Sequence, residues 1–136
     1  MTSAGATVPL KVIIADDSQP VAEMLRELVT DPGRVEVVGM SDSEASTLEA
    51  IRRLAPDAVI LDLQLRTGSG ADVIRAVRAD PRLASTRLLV ASNHMSPQLR
   101  AGCLELGADA YLDKVKELPE LAAMLQRLAG EKARGA

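Results

Sequence analysis

Five residues of this 136-residue chain could do chemistry together, and each sits at the end of an apolar run. Asp16 and Asp17 follow Lys11-Val12-Ile13-Ile14-Ala15. Asp62 follows Ala58-Val59-Ile60-Leu61, Ser92 follows Arg87-Leu88-Leu89-Val90-Ala91, and Lys114 comes just after Ala110-Tyr111-Leu112. An ionised aspartate is almost never buried without partners, so an apolar strand that stops at a carboxylate places that carboxylate at its tip. Singly, each residue has a plain structural role: Asp17 a helix cap, Ser92 a loop hydroxyl, Lys114 a solvated charge. Brought together, three carboxylates repel one another by roughly 1–4 kcal/mol per pair at protein-surface dielectrics. A hard divalent cation relieves that repulsion, and Mg2+ favours a few carboxylates, water and phosphate oxygens. A carboxylate nucleophile, a cation, an ammonium and a hydroxyl are what phosphoryl transfer to a protein requires.

The elements that must position these residues follow from periodicity. From Ser18 to Thr30, Val21, Met24, Leu25 and Leu28 repeat at i, i+3, i+4 and i+7, one helix face. Asp17 or Ser18 can cap that helix, Pro20 suits its first turn, and Asp31-Pro32-Gly33 stops it. Val35 to Gly39 reads as a second strand. A helix from about Ser43 to Leu54 has Leu48, Ile51 and Leu54 inward. Residues 66–70 form a flexible loop, and the next helix carries Val73, Ile74 and Val77. A helix from Ser96 to Leu106 carries Leu99, Cys103 and Leu106, with Gly107 as its C-cap. The last helix, Glu117 to Ala129, carries Leu118, Leu121, Ala122, Leu125 and Leu128 and ends at Gly130. Five strands alternate with five helices, which predicts an α/β fold: a doubly wound, five-stranded parallel sheet. In such a sheet all strands end at the same rim, where ligands bind.

Composition narrows the function. Sixteen basic against nineteen acidic residues give a net charge of −3, which lacks the basic footprint of direct nucleic-acid binding. Tyr111 is the sole aromatic, so no base-stacking platform exists. One cysteine, Cys103, excludes an internal disulfide and a multi-thiolate metal site. No leader and no apolar run of about 20 residues is present, so the expectation is a cytoplasmic protein without membrane contact.

Four motifs in order resemble the receiver domain of bacterial two-component response regulators. They are Val-Ile-Ile-Ala-Asp16-Asp17-Ser, Ala-Val-Ile-Leu-Asp62-Leu-Gln-Leu with Gly70 eight residues on, Leu-Leu-Val-Ala-Ser92, and Gly-Ala-Asp-Ala-Tyr111-Leu-Asp-Lys114. The resemblance covers residues 10–130, with 1–9 a disordered lead-in, 131–136 a tail, and no effector domain. It implies a flavodoxin-like sheet of order 2-1-3-4-5. It also implies that Asp62 accepts a phosphoryl group from a histidine kinase or histidine phosphotransfer protein. Asp16, Asp17 and Asp62 would hold Mg2+ with the backbone carbonyl of Gln64, and Ser92 and Lys114 would contact the phosphoryl oxygens. Ser92 and Tyr111 form the implied switch, with Tyr111 rotating inward as Ser92 moves; an edge-strand aromatic with its hydroxyl in water is the plain alternative.

Three positions depart from the family. Arg66 stands where a proline is usual, so the loop should be more mobile and Arg66 could lean toward the phosphate or a partner's acids. Val115 replaces the proline of a cis peptide after Lys114, which predicts a trans bond, since cis costs about 2.5–4 kcal/mol without proline. Asn93 stands where a small residue is usual. With Gln64 and His94, Arg66 and Asn93 are candidates for tuning dephosphorylation.

The expected protein is a single-domain regulator, not an enzyme beyond its own phosphorylation and dephosphorylation, and a monomer or weak dimer. It would switch an unknown downstream partner through the fourth helix, fifth strand and last helix, where Glu120, Met124, Arg127, Glu131, Met95 and Leu104 could form a docking face. Relay intermediate and phosphate sink are the alternatives. More remote are a nucleotide-binding flavodoxin-like module, suggested by Gly68-Ser69-Gly70, and an aspartate-nucleophile phosphatase, for which Gln64 stands where the second acid is needed.

Overall fold

A computed structural model describes residues 8–135. Of the expected lead-in at residues 1–9, residues 1–7 lie outside the described residues, as does Ala136, while Val8 and Pro9 are placed directly before the first strand. The elements are β1 (Leu10–Ala15), α1 (Gln19–Val29), β2 (Val35–Ser41), α2 (Glu44–Leu54), β3 (Ala58–Leu61), α3 (Gly70–Arg78), β4 (Arg87–Ser92), α4 (Pro97–Leu106), β5 (Ala110–Asp113) and α5 (Leu118–Gly135). A short 3-10 turn at Pro81–Leu83 precedes β4. All four strand pairings are parallel and the order is β2-β1-β3-β4-β5, the predicted flavodoxin-like arrangement.

Alternation along the strands divides the core in two. Val12, Ile14, Ile60, Leu89 and Leu112 face α1 and α5, where they meet Leu25, Leu121 and Leu125. Ile13, Val59, Leu61, Leu88 and Val90 face α2, α3 and α4, where they meet Ile51, Val73, Ile74, Val77 and Cys103. Each fully buried aliphatic side chain contributes about 1.5–3 kcal/mol of transfer free energy. With no Phe or Trp available, branched aliphatics fill both layers.

Helix caps fall at Ser18, Ser43, Ser69 and Ser96, each accepting a main-chain N–H of the first turn. Gly107, at φ 118°, closes α4 in the left-handed region that a glycine adopts without penalty.

Three expectations need correction. On α1 the inward residues are Ala22, Leu25 and Val29, whereas Met24 and Leu28 are 44% and 42% exposed. The small Ala22 takes the inward position near the rim, which turns Met24 and Leu28 toward the flank. On α4 only Cys103 is buried, and Leu99 is exposed. Finally, α5 does not stop at Gly130 but runs to Gly135, so 131–135 is helix rather than tail. A helical glycine costs roughly 1 kcal/mol. Ahead of it Ala129 is buried, and beyond it the Lys132 ammonium donates to the Pro9 carbonyl at 3.1 Å and to Asp57 at 2.7 Å, which offsets that cost.

Candidate functional site

The parallel sheet brings the ends of β1, β3, β4 and β5 to one rim, and Asp16, Asp62, Ser92 and Lys114 are all buried there while Asp17 is exposed. The main chain fixes the acids. The Asp16 N–H donates to the Ser41 carbonyl and the Asp62 N–H to the Ala15 carbonyl, extending the ladder past the strand ends.

The Lys114 ammonium lies between two carboxylates, 2.7 Å from Asp16 Oδ2 and 2.8 Å from Asp62 Oδ2. The remaining oxygens accept main-chain donors: Asp16 Oδ1 from the Ser18 N–H at 2.8 Å, and Asp62 Oδ1 from the Gln64 N–H at 3.1 Å. Burial pushes the Asp62 carboxyl above the usual carboxylate range, against the bonds from Lys114 and the Gln64 N–H. Burial also pulls the Lys114 ammonium down, but its bonds to Asp16 and Asp62 outweigh that and hold it above the usual lysine range. The asymmetry follows from the count of charges. One ammonium is shared by two acids, so the lysine gains two partners while Asp62 gains half of one and feels Asp16 as well.

Asp16, Asp17 and Asp62 each offer a carboxylate oxygen within 4.8 Å of the others. Three hard oxygen donors that close, with only one ammonium to balance them, fit a small divalent cation. An open depression of about 450 Å³ lies beside them, lined by Asp16, Asp17, Gln19, Met40, Ser41 and Asp42.

Gly70 explains how α3 starts so close to Asp62. A Cβ there would sit 2.9 Å from Leu63 Cα and closer still to the Asp62 carbonyl oxygen. Only glycine lets the helix approach the strand end this tightly.

Around Ser92 the β4–α4 loop is tied at its own peptide. Ser92 Oγ accepts the His94 N–H at 3.0 Å, and the Tyr111 hydroxyl donates to the His94 carbonyl. Tyr111 is 2% exposed, so its ring already lies inward, with its hydroxyl on the loop rather than in water. The side chains of Asn93 and His94 are exposed, and it is the backbone of His94 that connects Ser92 with Tyr111. The corner after Lys114 contains no cis peptide, as predicted. Instead, Asp113 Oδ1 accepts the N–H groups of Val115 and Lys116 at 2.7 and 3.0 Å, folding the turn into α5.

Gln64 and Arg66 are exposed beside the acids. The loop expected to be flexible is fastened down instead. Arg66 pairs with Asp42, at 3.0 Å, rather than with Asp16 or Asp62. Asp42 and Glu44 were the rim residues missed from sequence. Reading β2 as ending at Gly39 hid them, whereas the strand runs to Ser41 and delivers both to the same edge.

Residues 12–126 match the family model described as the response regulator receiver domain, and the chain belongs to that family. The relatives are varied. The DNA-binding response regulator MtrA of Mycolicibacterium smegmatis is 34% identical over 120 residues, which are 88% of this chain and 50% of that protein. The protein-glutamate methylesterase/protein-glutamine glutaminase 2 of Koribacter versatilis is 29% identical over 127 residues, 92% of this chain and 34% of that protein. The chain thus spans half or less of the length of these relatives. Among solved structures, the signal receiver domain of NarL from Mycobacterium tuberculosis superposes with a TM-score of 0.81 at 30% identity, covering 90% of this chain and 98% of that one. The response regulator domain of Thermotoga maritima CheB shares the fold, at a TM-score of 0.78 and 19% identity. The site therefore belongs to a receiver domain of two-component signalling.

Proposed function

We propose that Asp62 is the phosphoacceptor of this receiver domain, taking its phosphoryl group from a phosphohistidine of a histidine kinase or phosphotransfer protein. The observation that carries this reading is the Lys114 ammonium bridging Asp16 and Asp62 at 2.7 and 2.8 Å on a buried rim. An Asp62 carboxylate oxygen attacks phosphorus, the phosphorus–nitrogen bond breaks, and the electron pair returns to the imidazole nitrogen, which takes a proton from solvent. Lys114 sets a fixed positive charge beside the incoming phosphoryl oxygens. Ser92 Oγ accepts from His94 but keeps its own proton, which a phosphoryl oxygen can receive. Mg2+, held by Asp16, Asp17, Asp62 and the Gln64 carbonyl, supplies further charge neutralisation when bound.

Output follows from the His94 backbone: Tyr111 grips the His94–Met95 peptide by its carbonyl, and Ser92 grips the Asn93–His94 peptide by its N–H. A Ser92 hydroxyl drawn toward a phosphoryl group pulls that backbone and biases Tyr111, a population shift between two arrangements. Met95, Leu99 and Leu104, exposed on or beside α4, offer the partner apolar contacts that change with it.

Incubation with acetyl phosphate and Mg2+ should add one phosphoryl group, read by intact-protein mass. Asp62→Asn should stay unlabelled, and equal labelling of that variant would remove Asp62 from the role.

A further inference from the structure

Five polar contacts fasten the segment after Asp62 to the turn after β2. The Arg66 N–H donates to the Asp42 carbonyl at 2.8 Å. The Arg66 guanidinium grips the Asp42 carboxylate with both arms, Nε to Oδ2 at 3.0 Å and Nη2 to Oδ1 at 3.3 Å. The Glu44 N–H donates to the Thr67 carbonyl at 2.9 Å, and Glu44 Oε1 accepts the Ser69 N–H at 3.0 Å. Between them Gly68 adopts φ +80° with the Glu44 side chain packed where a Cβ would go. On its inner side the segment closes on itself through an antiparallel bridge between Gln64 and Ser69, and the Gly70 N–H donates to the Leu63 carbonyl at 2.9 Å.

We propose that Asp42 and Arg66 form a latch that positions the main-chain carbonyl of Gln64 for Mg2+, making Arg66 a positioning residue for cation binding. The inference rests on the assignment of Asp16, Asp17 and Asp62 to that cation. The path is short and fully bonded. Gln64 is held to Asp62 through its N–H and to Ser69 through the bridge, Ser69 is held to Glu44, and Arg66 is held to Asp42. Asp42 and Glu44 flank one turn, so the two clamps move together. The planar guanidinium fork fixes orientation as well as distance, which a lysine cannot do. The Arg66 N–H is part of the latch, a donor that a proline at this position would lack.

Charge alone makes the opposite prediction. A guanidinium near a cation site repels Mg2+, so its removal should tighten binding; positioning predicts that its removal weakens it. Mg2+ alone, titrated into the full chain while the amide resonances of Gln64 and Leu65 are followed, separates the two. Arg66→Ala, Arg66→Lys and Asp42→Asn should each weaken Mg2+ affinity by about two- to five-fold, the range of an exposed ion pair. Their melting temperatures should stay near that of the native chain, because both side chains are at least half exposed. The Asp42→Asn/Arg66→Ala double variant should bind no more weakly than the worse single variant. Tighter binding by Arg66→Ala, unchanged binding by Arg66→Lys, or additive losses in the double variant would each overturn the latch. Failure of the underlying assignment looks different: the native chain itself would then show no Mg2+-dependent shift and no labelling at Asp62.

Discussion

Replacing Lys114 by methionine tests the electrostatic core of the site. The substitution keeps the stem's volume and removes the ammonium that Asp16 and Asp62 share. Two like charges with oxygens within 4.8 Å repel by roughly 3 kcal/mol at an effective dielectric of 20. With the ammonium gone, both acids also lose a bond at 2.7 or 2.8 Å, while the cost of burying the ammonium is recovered. Removing one partner from a buried charge cluster typically destabilises by about 3–5 kcal/mol. For a domain of this size that lowers the melting temperature by roughly 10–20 °C. The assay is a far-ultraviolet circular dichroism melt at neutral pH in chelator. Two further arms assign the cause. Adding Asp16→Asn should recover half the loss or more, since only one acid then remains, and Mg2+ should raise the single variant's melting temperature more than the native chain's. A loss below about 1 kcal/mol, or a double variant less stable than Lys114→Met, would refute the shared-ammonium account.

The pH dependence has a definite sign. Burial raises the Asp62 pKa, so the folded chain binds that proton more tightly than the unfolded one, and the group's contribution to stability falls as pH rises through the window between the two values. In chelator, Asp62→Asn should therefore melt above the native chain at neutral pH, with the gap closing on acidification below the ordinary carboxylate range; phosphorylation by acetyl phosphate should fall in the same window as Asp62 takes up its proton. Gly70→Ala should destabilise by about 1–3 kcal/mol and slow labelling, because the added Cβ displaces the main chain at Asp62 and Leu63, as paired urea titrations and labelling time courses would show. Tyr111→Phe should lose about 1 kcal/mol in the same titrations and shift the His94 and Met95 amide resonances, since it deletes the donor to the His94 carbonyl.

Much of this molecule was legible in its residues because parallel strands are buried on both faces. Ala58 to Leu61 is continuously apolar for that reason, and the first charge after it marks the rim. The same logic placed Asp16, Ser92 and Lys114. What escaped depended on contacts between distant segments. Arg66 and Asp42 are 24 residues apart, and nothing local to Arg66 distinguishes a side chain aimed at a phosphoryl group from one latched to a neighbouring turn. On α1 the buried set is Ala22, Leu25 and Val29, a different phase from Val21, Met24 and Leu28, and an alanine carries too little hydrophobic signal to mark it. Gly130 looked like a stop because the residues that carry α5 past it, Pro9 and Asp57, lie 123 and 75 residues from Lys132 in the chain.

That extension of α5 has a practical consequence. Pro9 and Asp57 immediately precede β1 and β3, so the Lys132 ammonium joins the last helix to the starting edge of a parallel sheet whose finishing edge holds the acids. The first and last described segments therefore meet at one pole, and the acids occupy the other. A fluorophore, a surface tether or a second folded unit attached through either segment starts from the far pole and leaves the approach to Asp62 open.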